Sequence, residues 1–317
     1  MGRKLFYPVT AEEDGKTAAF IMQHRMHMTK KEIRRAKFLE MGISTEGRQI
    51  RSTAVLHEGD LLEIALERNR PSVPEMPEEP KTWQGLPVSI LYEDVDVLVV
   101  NKPSGMAVHP VATHQEQTLA QWTAHYLRKQ RLDCTPRSIG RLDVETSGAL
   151  LFAKNRLSAA RLWRQQENNQ LTKTYLALSE GHLDQPADTV CLPIKKADPH
   201  SRQRMIPSPD GQTAITHYQV LAQLSCCDLI KLSLDTGRTH QIRVHMAALG
   251  HPLAGDRIYG KKALPFPARA ALHVWKLEFL QPFTGTPLCV HAPIPGDFCQ
   301  KLKEEGMTYE AFNALLH

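Results

Sequence analysis

No stretch of the 317 residues approaches the roughly 18 uncharged apolar positions that a membrane-spanning helix requires, so no membrane partner is expected. The opening, Met1-Gly2-Arg3-Lys4-Leu5-Phe6-Tyr7-Pro8, lacks the apolar core and small-residue cleavage site of a secretory signal, and the expected compartment is the cytoplasm. None of the 6 cysteines (Cys134, Cys191, Cys226, Cys227, Cys289, Cys299) belongs to a C-x-x-C pair. The adjacent Cys226 and Cys227 suit neither an ordinary disulfide nor a zinc knuckle, so reduced thiols are expected. There is no G-x-G-x-x-G dinucleotide fingerprint, no G-x-S-x-G nucleophile elbow and no internal repeat. The charge surplus is small, 39 Lys and Arg against 34 Asp and Glu, which permits a polyanionic partner without requiring one. With 42% hydrophobic and 23% charged residues, the composition is that of a globular protein long enough for about two domains.

The clearest boundary is Pro71-Ser72-Val73-Pro74-Glu75-Met76-Pro77-Glu78-Glu79-Pro80, whose prolines at every third position favour an extended spacer. It divides a module at 1–70 from a domain at 86–317, with a linker at 71–85. In the module, Thr29-Lys30-Lys31-Glu32 is a capping box that predicts a helix running to about Met41 and stopped by Gly42. Lys31, Arg34 and Arg35 share one side of it, and residues 24–51 hold 8 Lys or Arg against 3 Glu. Such a stripe is either a solvated face or a phosphate-tracking surface. A turn at Glu46-Gly47 and a strand at 61–66 complete a small α/β unit.

The larger domain reads as strands at 97–101, 149–153, 174–179, 214–224, 229–234 and 272–279, with helices at 158–166 and 239–249. Strands in succession with inserted helices predict an α+β fold around a mixed, largely antiparallel sheet. Two nucleotide or metal readings fail on chemistry. Gly255–Lys262 fits the start of a phosphate-binding P-loop but offers Lys262 where Ser or Thr must ligate magnesium. His240 and His245 stand five apart, which splays them across a helix instead of aligning them on a metal.

Two segments stand out: Arg141-Leu142-Asp143-Val144-Glu145-Thr146-Ser147-Gly148, and Thr236-Gly237-Arg238-Thr239-His240-Gln241-Ile242-Arg243-Val244-His245-Met246. In isolation, the Asp is a turn residue and the Arg- and His-rich helix a solvated face. Together they resemble the two signatures of the RluA family of pseudouridine synthases. Asn101-Lys102-Pro103-Ser104-Gly105, His109-Pro110, Lys173-Thr174-Tyr175, Gly250-His251-Pro252-Leu253, Leu272-His273 and His291-Ala292-Pro293 follow in family order, so the resemblance covers 86–300. The His that usually precedes Arg-Leu-Asp is Gly140 here. The N-terminal module resembles the small RNA-binding domain, of the ribosomal-protein type, that precedes many such catalytic domains; its usual Asn-Gly turn is Glu46-Gly47.

The resemblance implies an isomerase that converts uridine in structured RNA, ribosomal or transfer RNA, into pseudouridine. The reaction breaks N1–C1′, turns the base and joins C5 to C1′; it consumes no redox equivalent and needs no metal, so no cofactor is expected. The family pattern assigns Asp143 as the catalytic carboxylate, attacking sugar or base or abstracting a sugar proton, with Arg243 as the cation that pairs with it. Tyr175 would stack on the uracil, and Arg141 would fill the gap left by the flipped nucleotide. Arg238 would meet a backbone phosphate, and His240 and Leu272 would contact the substrate. Lys31, Arg34 and Arg35 would grip RNA, and the enzyme is expected to act as a monomer. The other reading is a catalytically silent RNA-binding or ribosome-assembly protein of the same fold; the intact Asp143, Tyr175 and Arg243 favour the enzyme.

Overall fold

The computed structural model describes residues 4–26, 28–65, 88–110, 117–132, 134–198, 205–260 and 269–316; the proline-rich segment lies outside them. The chain divides into two units, 1–75 and 76–317.

The first unit contains β1 (Lys4–Pro8), β2 (Lys16–Thr17), α1 (Ala18–His24), α2 (Lys30–Ala36), β3 (Ile43–Thr45), β4 (Arg48–Gln49), β5 (Val55–Leu56) and β6 (Leu61–Ala65). It has a sheet ordered β1-β6-β3-β4 and a β2-β5 pair, and Ile21, Met22, Ile33, Ile43, Leu62 and Ile64 from its helices and sheet are all buried. The capping box forms: Glu32 N–H donates to Thr29 Oγ1 at 3.3 Å and Thr29 N–H donates to Glu32 Oε2 at 2.8 Å. The helix itself stops at Ala36, short of the expected Met41. The backbone doubles back so tightly that a Cβ on Gly42 would lie 1.8 Å from the Ala36 carbonyl oxygen, and Met41 turns to φ +50°. Glu46 and Gly47, at φ +47° and +74°, form the two-residue connection of the β3–β4 hairpin, as the sequence indicated.

The second unit contains β7 (Ser89–Glu93), β8 (Val97–Lys102), α3 (Leu119–Lys129), β9 (Arg137–Ser138), β10 (Ser147–Ala153), α4 (Arg156–Glu167), β11 (Thr172–Glu180), β12 (Ala187–Cys191), β13 (Ile194–Lys196) and β14 (Met205–Pro207). It continues with β15 (Ile215–Gln223), β16 (Cys227–Leu234), α5 (Gln241–Ala248), β17 (Leu272–Leu280), β18 (Pro287–His291), α6 (Gly296–Glu304) and α7 (Tyr309–Leu316). The main sheet runs β12-β15-β16-β11-β17-β10-β8-β7, with β18 beside β17 and β9 beside β10. β10 is buried along its whole length because both faces of the sheet are covered there. The α+β class with a largely antiparallel sheet is the expected one.

One pairing breaks the antiparallel pattern. β10 and β17 run parallel, in register at Ser147↔His273 and Gly148↔Val274. Gly148, at φ +113°, permits this close approach, since a Cβ there would stand 2.3 Å from the Val274 carbonyl oxygen. The loop that enters β10 is thereby set between the end of β8 and the start of β17.

Candidate active site

That entering loop carries Asp143. It is fastened on one side to the turn after β8: Gly105 N–H donates to the Val144 carbonyl at 2.8 Å and Ser104 Oγ to the Glu145 carbonyl at 2.8 Å. Lys102, the last residue of β8, is fully buried and donates from Nζ to the carbonyls of Pro103 (2.9 Å), Met106 (2.7 Å) and Val144 (3.0 Å). Burial pushes the Lys102 amine down to about 7, the Asp143 charge opposes this, and the Arg269 charge adds to it. Three carbonyl acceptors match the three protons of the ammonium form, so geometry favours a charged Lys102 beneath the loop. The Asp143 backbone closes the turn by accepting from Thr146 N–H at 3.1 Å. Its half-buried side chain accepts no hydrogen bond and makes no ion pair among the described residues.

On the other side stands α5. Gln241 ties its start to β15 by donating to the Ile215 carbonyl at 2.9 Å and Thr216 Oγ1 at 3.0 Å, and accepts from Arg238 N–H at 3.0 Å. Residues 241–246 are all buried, so this helix lies inside the fold on every side instead of presenting a solvated face. Arg243, 2% exposed, points two prongs at Asp256: Nε to Oδ2 at 2.7 Å and Nη2 to Oδ1 at 2.6 Å. Nη2 also lies 3.0 Å from Glu145 Oε2. Burial works against the Arg243 charge, but the hydrogen bonds and charge of Asp256, with Glu145 and Asp143, outweigh it and hold the guanidinium above its ordinary pKa. Asp256 in turn accepts the backbone N–H groups of Ile258 and Tyr259 at 2.9 and 3.1 Å.

The expected direct pairing of Arg243 with Asp143 is therefore corrected. Arg243 is bound bidentately to Asp256, because a planar guanidinium satisfies a buried carboxylate best through two parallel bonds. Its charge reaches Asp143 without a salt bridge. Arg243 belongs to the site as a fixed cation whose contact with the loop runs through Glu145.

Tyr175 is buried where β11 bulges against β17, in register with Leu232 and Val274. Burial pushes its hydroxyl far above the ordinary value, and the Asp143 charge adds to that. His240 takes the left-handed conformation at the start of α5 and meets the Tyr259 hydroxyl through Nδ1 at 3.0 Å. Burial pushes the His240 imidazole below its ordinary pKa, with the Asp143 charge opposing. The structure thus brings Asp143, Tyr175, His240 and Arg243 together. Arg141 is exposed on the same loop, and Arg238 is exposed with Nε donating to the Thr213 carbonyl at 3.1 Å. Leu272 is buried at the start of β17. Lys31, Arg34 and Arg35 lie in the first unit, with Lys31 and Arg34 exposed.

Sequence reasoning passed over Lys102, Glu145, Asp256 and Tyr259 as site residues. Lys102 carried a signal, a cation two residues beyond the apolar run Val97–Val100 and just before the Pro103-Ser104-Gly105 turn. The P-loop-like segment contributes Asp256 and Tyr259, the anchors of Arg243 and His240. His245 and His251 are engaged separately, at Thr216 and Leu192 and at the Glu180 carbonyl. All six cysteines are free. Cys226, Cys227 and Glu305 do gather, yet Glu305 is bound to Lys301 at 2.7 Å, and burial pushes the Cys227 thiol up to about 12, so the cluster is held as neutral thiols around an ion pair.

The candidate site thus joins a free carboxylate on a doubly stapled loop to a buried tyrosine and a fixed cation. The family profile described as RNA pseudouridylate synthase matches residues 96–248. The uncharacterized RNA pseudouridine synthase YhcT of Bacillus subtilis is 36% identical over 302 residues, 93% of this chain and 95% of that protein. Ribosomal large subunit pseudouridine synthase D of Xylella fastidiosa is 39% identical over 235 residues, 69% of this chain and 70% of its own length. The solved structure of human RNA pseudouridylate synthase domain containing 1 superimposes with a TM-score of 0.57 at 29% identity, over 72% of this chain and 94% of that one. The chain belongs to the RNA pseudouridine synthase family. It is an isomerase, and the resemblance carried by Arg141–Gly148 and Thr236–Met246 holds at that level.

Proposed function

We propose that the chain isomerises uridines of large-subunit ribosomal RNA to pseudouridine, with Asp143 as the catalytic carboxylate. The observation that carries the catalytic assignment is the contrast on one loop. Lys102, Ser104, Gly105, Arg243 and the Ala270 N–H fasten Val144 and Glu145, while the carboxylate of Asp143, the residue just before them, stays free. A carboxylate held rigidly and left unoccupied is preorganised for a reacting atom. Large-subunit RNA is proposed because relatives that cover about seventy per cent of this chain carry that substrate in their names. Transfer RNA is the alternative substrate.

Flipping the target uridine costs a few kcal/mol, less in a loop than in a duplex. Tyr175 receives the flipped uracil, and exposed Arg141 fills the gap it leaves. Arg238 meets a phosphate at the rim, and His240 and Leu272 bound the substrate. Arg243, immobilised by Asp256 and Glu145, supplies positive potential beside the reacting carboxylate. Once N1–C1′ is broken and C5 joined to C1′, the proton on C5 passes to solvent and N1 gains one, so nothing is consumed. The first unit acts as an RNA-binding module, with Lys31, Arg34 and Arg35 tracking phosphates.

Asp143→Asn is isosteric and removes only the charge. Tritium release from RNA labelled at uridine C5 should fall below a few per cent of wild type, while the variant keeps its melting temperature and RNA affinity. Substantial residual release would remove Asp143 from the role. Pseudouridine mapping of RNA from cells with and without the protein then identifies the uridine.

A further inference from the structure

The basic stripe of the first unit ends on an aromatic ring. After α2 stops at Ala36, the chain keeps a helical turn: Phe38 N–H donates to the Arg35 carbonyl at 3.0 Å and Leu39 N–H to the Ala36 carbonyl at 3.1 Å. Phe38 therefore follows Lys31, Arg34 and Arg35 at helical spacings of seven, four and three, and prolongs the face they share. Ile33 and Ala36, on the opposite side, are buried. Phe38 is 84% exposed, more than any other large apolar side chain described, and makes no aromatic or cation–π contact among the described residues. Lys31, Arg34 and Lys37 around it are exposed.

An apolar ring standing in water amid cations is poorly suited to a second protein's hydrophobic core, which would have to bury those charges. It is well suited to a nucleobase, whose π-face stacks on an aromatic ring while the attached phosphates meet the flanking cations. Bases inside a duplex are already stacked on both faces, so only an unpaired nucleotide can use the ring. We infer that Phe38 is a stacking platform for an unpaired RNA base, and that the first unit selects a loop, bulge or single-stranded segment over continuous duplex. This rests on the reading of that unit as an RNA-binding module.

The test is equilibrium binding of the full chain to two RNAs of equal length and charge, a hairpin with an open loop and a blunt duplex, across a salt series. Phe38→Ala should weaken hairpin binding by roughly 5- to 150-fold, leaving duplex affinity and the salt slope unchanged. Phe38→Tyr, which keeps the ring, should restore it. Hairpin affinity unchanged in Phe38→Ala, equal losses on both RNAs, or failure of Phe38→Tyr would each overturn the stacking role. Lys31→Ala with Arg34→Ala separates the two claims: a loss on both RNAs with a shallower salt slope supports the module's grip. No effect on either RNA would instead discard the RNA-binding reading of the unit and the stacking role with it. Phe38 contributes almost no buried area, so the melting temperature of Phe38→Ala should match wild type.

Discussion

Replacing Asp256 with Asn tests whether the Arg243 guanidinium is held by that carboxylate or only happens to lie near it. The swap preserves size and keeps Oδ1 as acceptor for the Ile258 and Tyr259 N–H groups. It places an NH2 group where Oδ2 accepted the Arg243 Nε–H at 2.7 Å. One prong of the pair becomes donor facing donor, and a guanidinium that is 2% exposed loses its buried counter-charge. Removing one partner of a buried pair costs about 3–5 kcal/mol. Glu145, still 3.0 Å away, retains part of the attraction and points to the lower end, about 3 kcal/mol. For a unit of this size that lowers the melting temperature by about 6–12 °C. Urea denaturation of Asp256→Asn, Arg243→Met and the double variant supplies the cycle. The double variant should cost clearly less than the sum of the singles, because neither charge is then buried alone. Turnover per folded molecule should also fall by up to about 10²-fold in Asp256→Asn as the cation loses its fixed position. A loss below about 1 kcal/mol, or strict additivity in the cycle, would refute the claim that Asp256 fixes Arg243.

Two further outcomes follow from the sheet. Gly148→Ala must accommodate a methyl group 2.3 Å from the Val274 carbonyl oxygen at φ +113°, and should cost about 3 kcal/mol by urea titration while uncoupling the Asp143 loop from β17. His273, fully buried with its Nδ1 2.9 Å from Ser147 Oγ, is driven down to about 4 mainly by burial. Between about pH 6.5 and 4 the unfolded chain binds a proton there that the folded chain refuses, so stability is lost as pH falls through that window, by about 2 kcal/mol at pH 5. Denaturation of wild type and His273→Asn at pH 7.5 and 5 should show a smaller acid-induced loss in the variant; parallel curves would mean that His273 takes up its proton in the fold.

The strand at 97–101 was legible because the apolar, valine-rich run Val97–Val100 leads into a turn sequence, and the helix at 158–166 because its apolar spacing is regular. The structure places them at Val97–Lys102 and Arg156–Glu167. α3 went unread although Thr118 and Gln121 form a capping box, with Gln121 N–H donating to Thr118 Oγ1 at 3.4 Å. The resemblance picked out Asp143 and its loop as candidates, but not what Arg243 grips. Asp256 and Asp143 are both acids on turns, and only the fold decides which of them the buried helix faces. The early end of α2 was hidden for a related reason. A glycine stop marks where a chain leaves a helix, and Gly42 performs that role only after a turn that the sequence spacing counts as helix.

The parallel strip between β10 and β17 also fixes when the protein can work. Ser147 and His273 meet across 126 residues of sequence. On the ribosome, the first unit and the Asp143 loop emerge long before the strand that the loop must lean against. Pairing over such a separation is a late, slow step in folding. A nascent or prematurely released chain therefore holds Asp143 on an unsupported loop, and products that end before β17 should release no tritium from RNA labelled at uridine C5, whatever RNA they bind. Completion of β17, the second-last strand of the main sheet to be synthesised, acts as a built-in check on the loop that carries Asp143.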